Sequence, residues 1–224
     1  MKRIAVFLIA ALMCISCVNI LWFFFPELTI RNYILVLPIP LIILSYFLCV
    51  EQKNILYLLA LVGFMIGDYC FIIEEDFING ITSCAIGLSL YGIIVLWQGH
   101  YISTRRLLVS AVPFVIMYMS PFFFFVDKIE DNIFSEVVFY TSAVGFFSLM
   151  SIIAYVSKRD AVTMKLLAAG VTTTLMGITY GVYLFLGYNA LYIVIADMLF
   201  MYSNFKMWQY IIIKDEPLLT TEEI

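Results

Sequence analysis

Eight long apolar runs, separated by short polar breaks, occupy almost the whole chain. They cover residues 4–25, 33–50, 55–73, 77–99, 107–126, 137–156, 166–187 and 189–213. A helix needs roughly 20 mostly apolar residues to cross a hydrocarbon core about 30 Å thick. Each run is continuous rather than alternating, which favours helices over the strands of a membrane barrel. The sequence therefore predicts an all-α fold, a polytopic membrane bundle of eight transmembrane helices.

The composition excludes the other broad classes of protein. Of the 224 residues, 64% are apolar and 12% are charged, whereas a soluble domain is usually about half apolar and about a quarter charged. An aromatic content of 17% is too high for a disordered chain. The net charge of −4 provides no basic surface, so we expect no nucleic-acid partner. We expect a multi-pass integral membrane protein of a bacterial inner (plasma) membrane.

The lysine and arginine residues indicate the orientation of the bundle. If the chain threads the membrane eight times, most basic residues lie on one side together with both termini: Lys2, Arg3, Lys53, Arg105, Arg106, Lys158, Arg159, Lys165 and Lys214. Arg31 and Lys128 fall in loops on the opposite side. Because basic residues favour the cytoplasmic side, both termini are predicted to be cytoplasmic. The arrangement gives one transmembrane domain, residues 1–213, and a short acidic cytoplasmic tail, residues 214–224.

Three ionisable side chains, Asp68, Asp197 and Lys206, lie within the predicted spans. A charge in hydrocarbon costs several kcal/mol, so such residues are seldom kept without a use. Lys206 lies about 25 Å from the outer end of its helix and can extend its amine to the cytoplasmic face. Asp68 lies about 20 Å from the inner end of the third helix, which places it roughly 10 Å below the outer face of the membrane. Asp197 lies about 12 Å from the outer end of the eighth helix. The two carboxyl groups therefore share a level in the outer half of the bundle.

Two carboxyl groups at one depth predict an acid–base couple. In a medium of low dielectric constant, two nearby carboxyl groups favour the state in which one is protonated and the other is ionised. Such a couple can protonate a substrate and direct water at the resulting cation. Asp68 and Asp197 are therefore the predicted catalytic residues. The alternative is that each aspartate hydrogen-bonds separately to neighbouring hydroxyl or backbone groups.

Four further polar side chains are predicted to line the same cavity and to bind the substrate. They are Tyr91, Tyr180, Tyr183 and Asn204. For the tyrosines, the alternative is ordinary packing within the bundle, where aromatic rings contribute large apolar surfaces.

The cysteine and histidine pattern argues against a metal site or another cofactor. Cys14 and Cys17 have the spacing of a redox or metal-binding pair, but they lie in an apolar run without a basic or histidine neighbour. They are therefore interpreted as small buried apolar residues. His100 is the single histidine of the chain, and one imidazole without clustered carboxylates or thiolates rarely holds a metal ion. We expect neither a metal nor another cofactor.

An ordered set of short motifs follows the second, third and fourth runs. Residues 37–41 (LPIPL) open the second run, Gly67-Asp68 ends the third, and Phe77-x-x-Gly80 followed by Tyr91 marks the fourth. Together with eight short-looped helices and this length, the set resembles the lysoplasmalogenase-like (YhhN-type) membrane family. The similarity is clearest over residues 33–91, where Asp68 matches the acidic position of the family.

The resemblance implies hydrolysis of the vinyl-ether bond of lysoplasmalogens, which releases a fatty aldehyde and a glycerophospho-alcohol. The implied partner is a lipid or lysophospholipid substrate. This chain differs from the family pattern at three positions, because Leu37 replaces a lysine, Cys84 a phenylalanine and Leu88 a histidine. Two alternatives therefore stand beside the hydrolase: a catalytically inactive lipid-binding member of the family, and a proton-coupled transporter of a small molecule or lipid.

Overall fold

The computed structural model describes residues 2–25, 30–74, 76–99, 103–187 and 189–215, and every regular element in these ranges is helical. The helices are α1 (Lys2–Phe24), α2 (Ile30–Leu35), α3 (Pro38–Cys49), α4 (Ile55–Tyr69), α5 (Phe77–Trp97), α6 (Thr104–Phe125), α7 (Phe134–Ser157), α8 (Ala161–Leu186) and α9 (Ala190–Asp215). A π-helical turn, Cys70–Glu74, continues α4, and a short 3-10 turn, Val126–Lys128, follows α6. The prediction of an all-α chain is confirmed for the described residues.

Among the residues that the structure describes, six helical segments are long and apolar enough to cross a membrane. They are Ile4–Phe24, Arg31–Cys49, Ile55–Ile72, Phe77–Trp97, Phe134–Ser157 and Ala161–Leu186. The other two predicted runs are also helical, in α6 and α9, and the charged side chains of α9 lower its apolar character. These helices indicate a multi-pass integral membrane protein.

Local signals in the sequence set where several helices begin. The side chains of Asn54 and Asp76 cap the first turns of α4 and α5. Asp160 forms a reciprocal capping box at the start of α8. Pro38 begins α3, because proline lacks the N–H group that an intrahelical bond requires. The second run, predicted as one helix over 33–50, is therefore divided by a short turn into α2 and α3, which together make up the segment Arg31–Cys49.

The helices pack around a core rich in aromatic side chains. α5 contacts both α4 and α7, while α8 contacts both α7 and α9. Tyr91 is buried at the centre of this core, and its ring centroid lies 5.8 Å from that of Tyr57, 5.1 Å from Phe64 and 5.4 Å from Phe147. α1 and α3 also contact α9, so the two ends of the chain meet.

The last helix extends slightly beyond the predicted span. α9 runs to Asp215, whose Oδ2 atom accepts a hydrogen bond of 2.6 Å from the Tyr46 hydroxyl group. Lys214 and Asp215, predicted to begin the tail, thus belong to the helix. Residues 216–224 lie outside the described residues.

α4 approaches α5 closely through Gly63 and Gly67, which are four residues apart and so lie on one face of the helix. A methyl group at Gly63 would lie 3.2 Å from the Ser83 carbonyl oxygen, and one at Gly67 would overlap the Cys84 sulfur. Small residues at this spacing let helices pack closely within membranes. The contact positions Asp68, which follows Gly67, against α5.

We expect Gly63→Leu to destabilise the protein by about 1–3 kcal/mol, because the larger side chain forces the α4 and α5 backbones apart. The measurement is denaturant or thermal unfolding of the purified protein in detergent. Val62→Leu is a matched control, since Val62 is 39% exposed on the same helix. Equal stabilities of the two variants would contradict the close contact.

Candidate functional site

A cavity of about 250 Å³ lies among α2, α4, α5, α7, α8 and α9. Its ionisable wall residues include Arg31, Asp68 and Asp197, and most of the remaining wall is apolar or aromatic. Phe64 of α4 and Phe200 of α9 also line it, with ring centroids 5.6 Å apart. The two aspartates at one predicted depth therefore share one cavity.

Asp68 lies in the last turn of α4, immediately before the π-helical turn. The residue is 8% exposed, and its Oδ2 atom has no hydrogen-bond partner among the described residues. Burial of a polar atom without a partner is costly, so such an atom in a native protein calls for a functional explanation. π-Helical turns also occur frequently at functional sites. Asp68 is thus the leading candidate for chemistry in the cavity.

Asp197 has a different environment because it is ion-paired. Arg31 Nη2 lies 2.7 Å from Asp197 Oδ2, and Asn19 Nδ2 donates a hydrogen bond of 3.2 Å to the same oxygen. Asn19 Oδ1 in turn accepts a hydrogen bond of 2.9 Å from Arg31 Nε. The network joins α1, α2 and α9 and compensates the charge of Asp197. Within the described residues, no cation lies within 4.0 Å of the Asp68 carboxyl group.

The position of Arg31 differs from the prediction, which placed this residue in an outer loop. Arg31 lies in α2 and is 7% exposed. Its guanidinium group stacks over the Trp22 ring, 4.1 Å from the ring centroid. Burial is tolerated because carboxylate, amide and aromatic partners replace the lost hydration. Asn19, which is fully buried, was not predicted as part of the site, although an amide within an apolar run was an available signal.

Only one of the four side chains predicted to bind substrate, Tyr180, lines the cavity. Tyr91 donates a hydrogen bond of 2.8 Å to Asn204 Oδ1, and both residues are buried in the packed core. Tyr183 stacks against Tyr180 with a centroid distance of 6.1 Å. Tyr91, Tyr183 and Asn204 are not among the residues that line the cavity, whereas Tyr140, which the sequence analysis did not select, is one of them.

Three residues differ from the motif pattern of the lysoplasmalogenase-like family that the sequence resembles, and the structure places them at two separate locations. Cys84 and Leu88 line the cavity, and Leu37 immediately precedes α3 and is 47% exposed. Two of the three departures are therefore located where a substrate in the cavity would touch them.

A second cavity of about 60 Å³ adjoins the first. Ile81, Tyr140 and Tyr180 line both cavities. The remaining wall of the second cavity is mainly apolar and includes Phe125 and Val144. The two cavities together provide a polar end near the aspartates and an apolar end beyond the two tyrosines.

The cysteines of α1 do not pack as predicted. Cys14 and Cys17 are exposed, so the interpretation that they are buried is wrong. Their side of α1 is not covered by the helices that α1 contacts. His100 lies outside the described residues, and within those residues no three histidine, cysteine, aspartate or glutamate side chains are placed to hold a metal ion.

Comparison of the chain with models of known protein families, with characterised proteins and with solved structures finds no match.

Proposed function

We propose that the protein is a membrane hydrolase that cleaves the vinyl-ether bond of lysoplasmalogens, with Asp68 as the acid that protonates the substrate. The observation that carries the proposal is a buried carboxyl oxygen, Asp68 Oδ2, that has no hydrogen-bond partner among the described residues and belongs to a cavity that also contains an ion-paired carboxylate. The resemblance of the motifs to the lysoplasmalogenase-like family supplies the substrate class.

The different environments of the two aspartates suit a division of roles. Asp197 can keep its negative charge because Arg31 compensates it, whereas a protonated Asp68 needs no counterion. Two carboxyl groups held in different charge states are the usual basis for assigning acid and base. In this proposal Asp68 donates a proton and Asp197 receives one.

The reaction begins when Asp68 transfers its proton to the vinyl carbon remote from the ether oxygen, which leaves an oxocarbenium ion and the Asp68 carboxylate. A water molecule adds to the cationic carbon and gives a proton to Asp197, forming a hemiacetal. The hemiacetal hydroxyl group then returns a proton to Asp68 while Asp197 protonates the departing glycerol oxygen. The products are the aldehyde and the glycerophospho-alcohol, and both aspartates regain their starting states.

The cavity walls suit a lipid with a single chain. Phe64, Leu88 and Phe200 provide apolar surface close to the aspartates. The adjoining apolar cavity, beyond Tyr140 and Tyr180, offers room for part of the alkyl chain. A vinyl ether attached to that chain would then lie near Asp68.

The proposal places the protein in a bacterial inner membrane, with all eight predicted runs crossing it and both termini in the cytoplasm. The excess of basic residues on the terminal side supports this orientation. Lys206 also supports it, since its amine donates a hydrogen bond of 3.2 Å to Gln209, nearer the end of α9. Reporter domains fused to each terminus measure the orientation directly, and a periplasmic signal from either one would contradict it.

The direct test is release of fatty aldehyde from lysoplasmalogen by the purified protein in detergent. Hydrolysis in deuterium oxide should place deuterium on the carbon next to the aldehyde group, because the proton enters there. The saturated ether analogue is the control substrate, since it has no vinyl carbon to protonate. A folded protein that releases no aldehyde would overturn the assignment. Lipid binding without cleavage would then favour the inactive alternative, and proton-dependent uptake into vesicles would favour the transporter.

A further inference from the structure

We infer that Arg31 binds the phosphate group of the lipid and thereby determines specificity for phosphorylated over uncharged amphiphiles. The inference rests on the proposed function, because it assigns a head-group position within the same cavity. It adds a role that the proton transfers do not require.

The Arg31 guanidinium group has hydrogen-bonding capacity to spare. It carries five N–H groups in a planar fork, and its hydrogen bonds to described residues use one at Nε, to Asn19, and one at Nη2, to Asp197. Nη1 has no hydrogen bond to any described residue, it is not among the fully buried side-chain atoms that lack a partner, and Arg31 lines the cavity. Described residues thus use two of the five N–H groups and leave three for a ligand that enters the cavity.

Arg31 is fixed in place before any ligand arrives. Asp197 and Asn19 hold one edge of the guanidinium group, and Trp22 covers its face. A fork that is already ordered loses little conformational freedom when it binds. Its spacing matches two oxygens of a phosphate group, which it can bind through two parallel hydrogen bonds.

The walls of the cavity favour a phosphate group carried by a lipid over a free phosphate ion. Arg31 offers a cationic edge, but much of the surrounding surface is apolar, including Leu35, Phe71 and Ile72. A free phosphate ion would have to lose its hydration next to these side chains. A lipid that carries the phosphate at one end of an apolar chain satisfies both parts of the wall, so the ligand class is a phosphorylated single-chain amphiphile.

The test uses the double variant Arg31→Gln/Asp197→Asn, which removes both charges of the pair and so leaves no uncompensated buried charge. Three probes are used in detergent: an alkyl-ether lysophospholipid that cannot be cleaved, the alkylglycerol with the same chain, and inorganic phosphate. We expect the wild type to bind the lysophospholipid about tenfold more tightly than the alkylglycerol, and the double variant to bind the two equally. The alkylglycerol affinity should be the same in both proteins, which reports an intact cavity.

Arg31→Lys is the conservative variant, because it keeps the charge but loses the planar fork, and it should retain only part of the preference. If Arg31 serves only to neutralise Asp197, the wild type will show no preference for the phosphorylated lipid, and the proposal fails. Tighter binding of inorganic phosphate than of the lysophospholipid would also overturn it, because the occupant would then be a free anion.

The binding measurements are independent of turnover because the lysophospholipid probe has no vinyl ether. A tenfold preference without aldehyde release from lysoplasmalogen would leave the head-group role of Arg31 in place and refute the hydrolase. Aldehyde release without the preference would refute the head-group role alone.

Discussion

Replacement of Asp68 by asparagine should lower the rate of aldehyde release by about 10² to 10⁴-fold, the usual contribution of a general acid or base. The amide has nearly the shape of the carboxyl group but cannot supply the proton that the vinyl carbon must receive. The melting temperature should change little, since Asp68 Oδ2 has no hydrogen bond to lose among the described residues. The rate is measured with purified protein by trapping the aldehyde as it forms.

Asp127→Asn is the matched control for this substitution. Asp127 is an exposed carboxylate in the 3-10 turn after α6, and it lines neither cavity. We expect the control to keep the wild-type rate. An unchanged rate in Asp68→Asn would remove Asp68 from the mechanism even for a protein that hydrolyses lysoplasmalogen.

The largest effect on stability is expected for Asp197→Ala, which leaves the Arg31 charge buried without its counterion. Breaking a buried ion pair from one side costs about 3–5 kcal/mol. We expect a loss of about 3 kcal/mol, the lower end of that range, because 27% of the Asp197 side chain is exposed. Denaturant unfolding in detergent measures the change. Lys158→Ala, which breaks a pair with a 74% exposed lysine side chain, should cost less than about 1 kcal/mol.

The double variant Arg31→Gln/Asp197→Asn separates the isolated charge from other causes of this loss. Two neutral side chains can still hydrogen-bond to each other and to Asn19, so the double variant should recover most of the stability. If it is as unstable as Asp197→Ala, the loss does not arise from the uncompensated charge of Arg31.

The helices could be predicted because a continuous apolar run has few other ways to satisfy its backbone in a membrane. Their ends were harder to place when the first turns contain a charged residue. α8 begins at Ala161 rather than at residue 166, because the Asp160 cap starts the helix before Lys165, whereas the predicted run begins only after this lysine. The division at Pro38 was missed for a related reason, since hydropathy does not register a missing backbone N–H group.

The candidate site was only partly visible in the sequence. Asp68 and Asp197 interrupt apolar runs, and their depths follow from the rise per residue of a helix, so both could be identified. Runs that are apolar on all sides do not reveal which face borders a cavity, which explains why Tyr91 and Asn204 were selected although they lie in the core. The partner of Asp197 could not be predicted either, because the network joins residues such as Asn19 that are 178 positions away in the chain.

The stacking of Trp22 on Arg31 gives the protein a built-in optical probe. The indole lies directly against the guanidinium group, whereas the other two tryptophans are elsewhere, with Trp208 buried in the core and Trp97 exposed at the end of α5. A ligand that shifts or neutralises the cation would alter the electric field at one fluorophore out of three. Label-free emission spectra would then report occupancy, and Trp22→Phe would silence the signal.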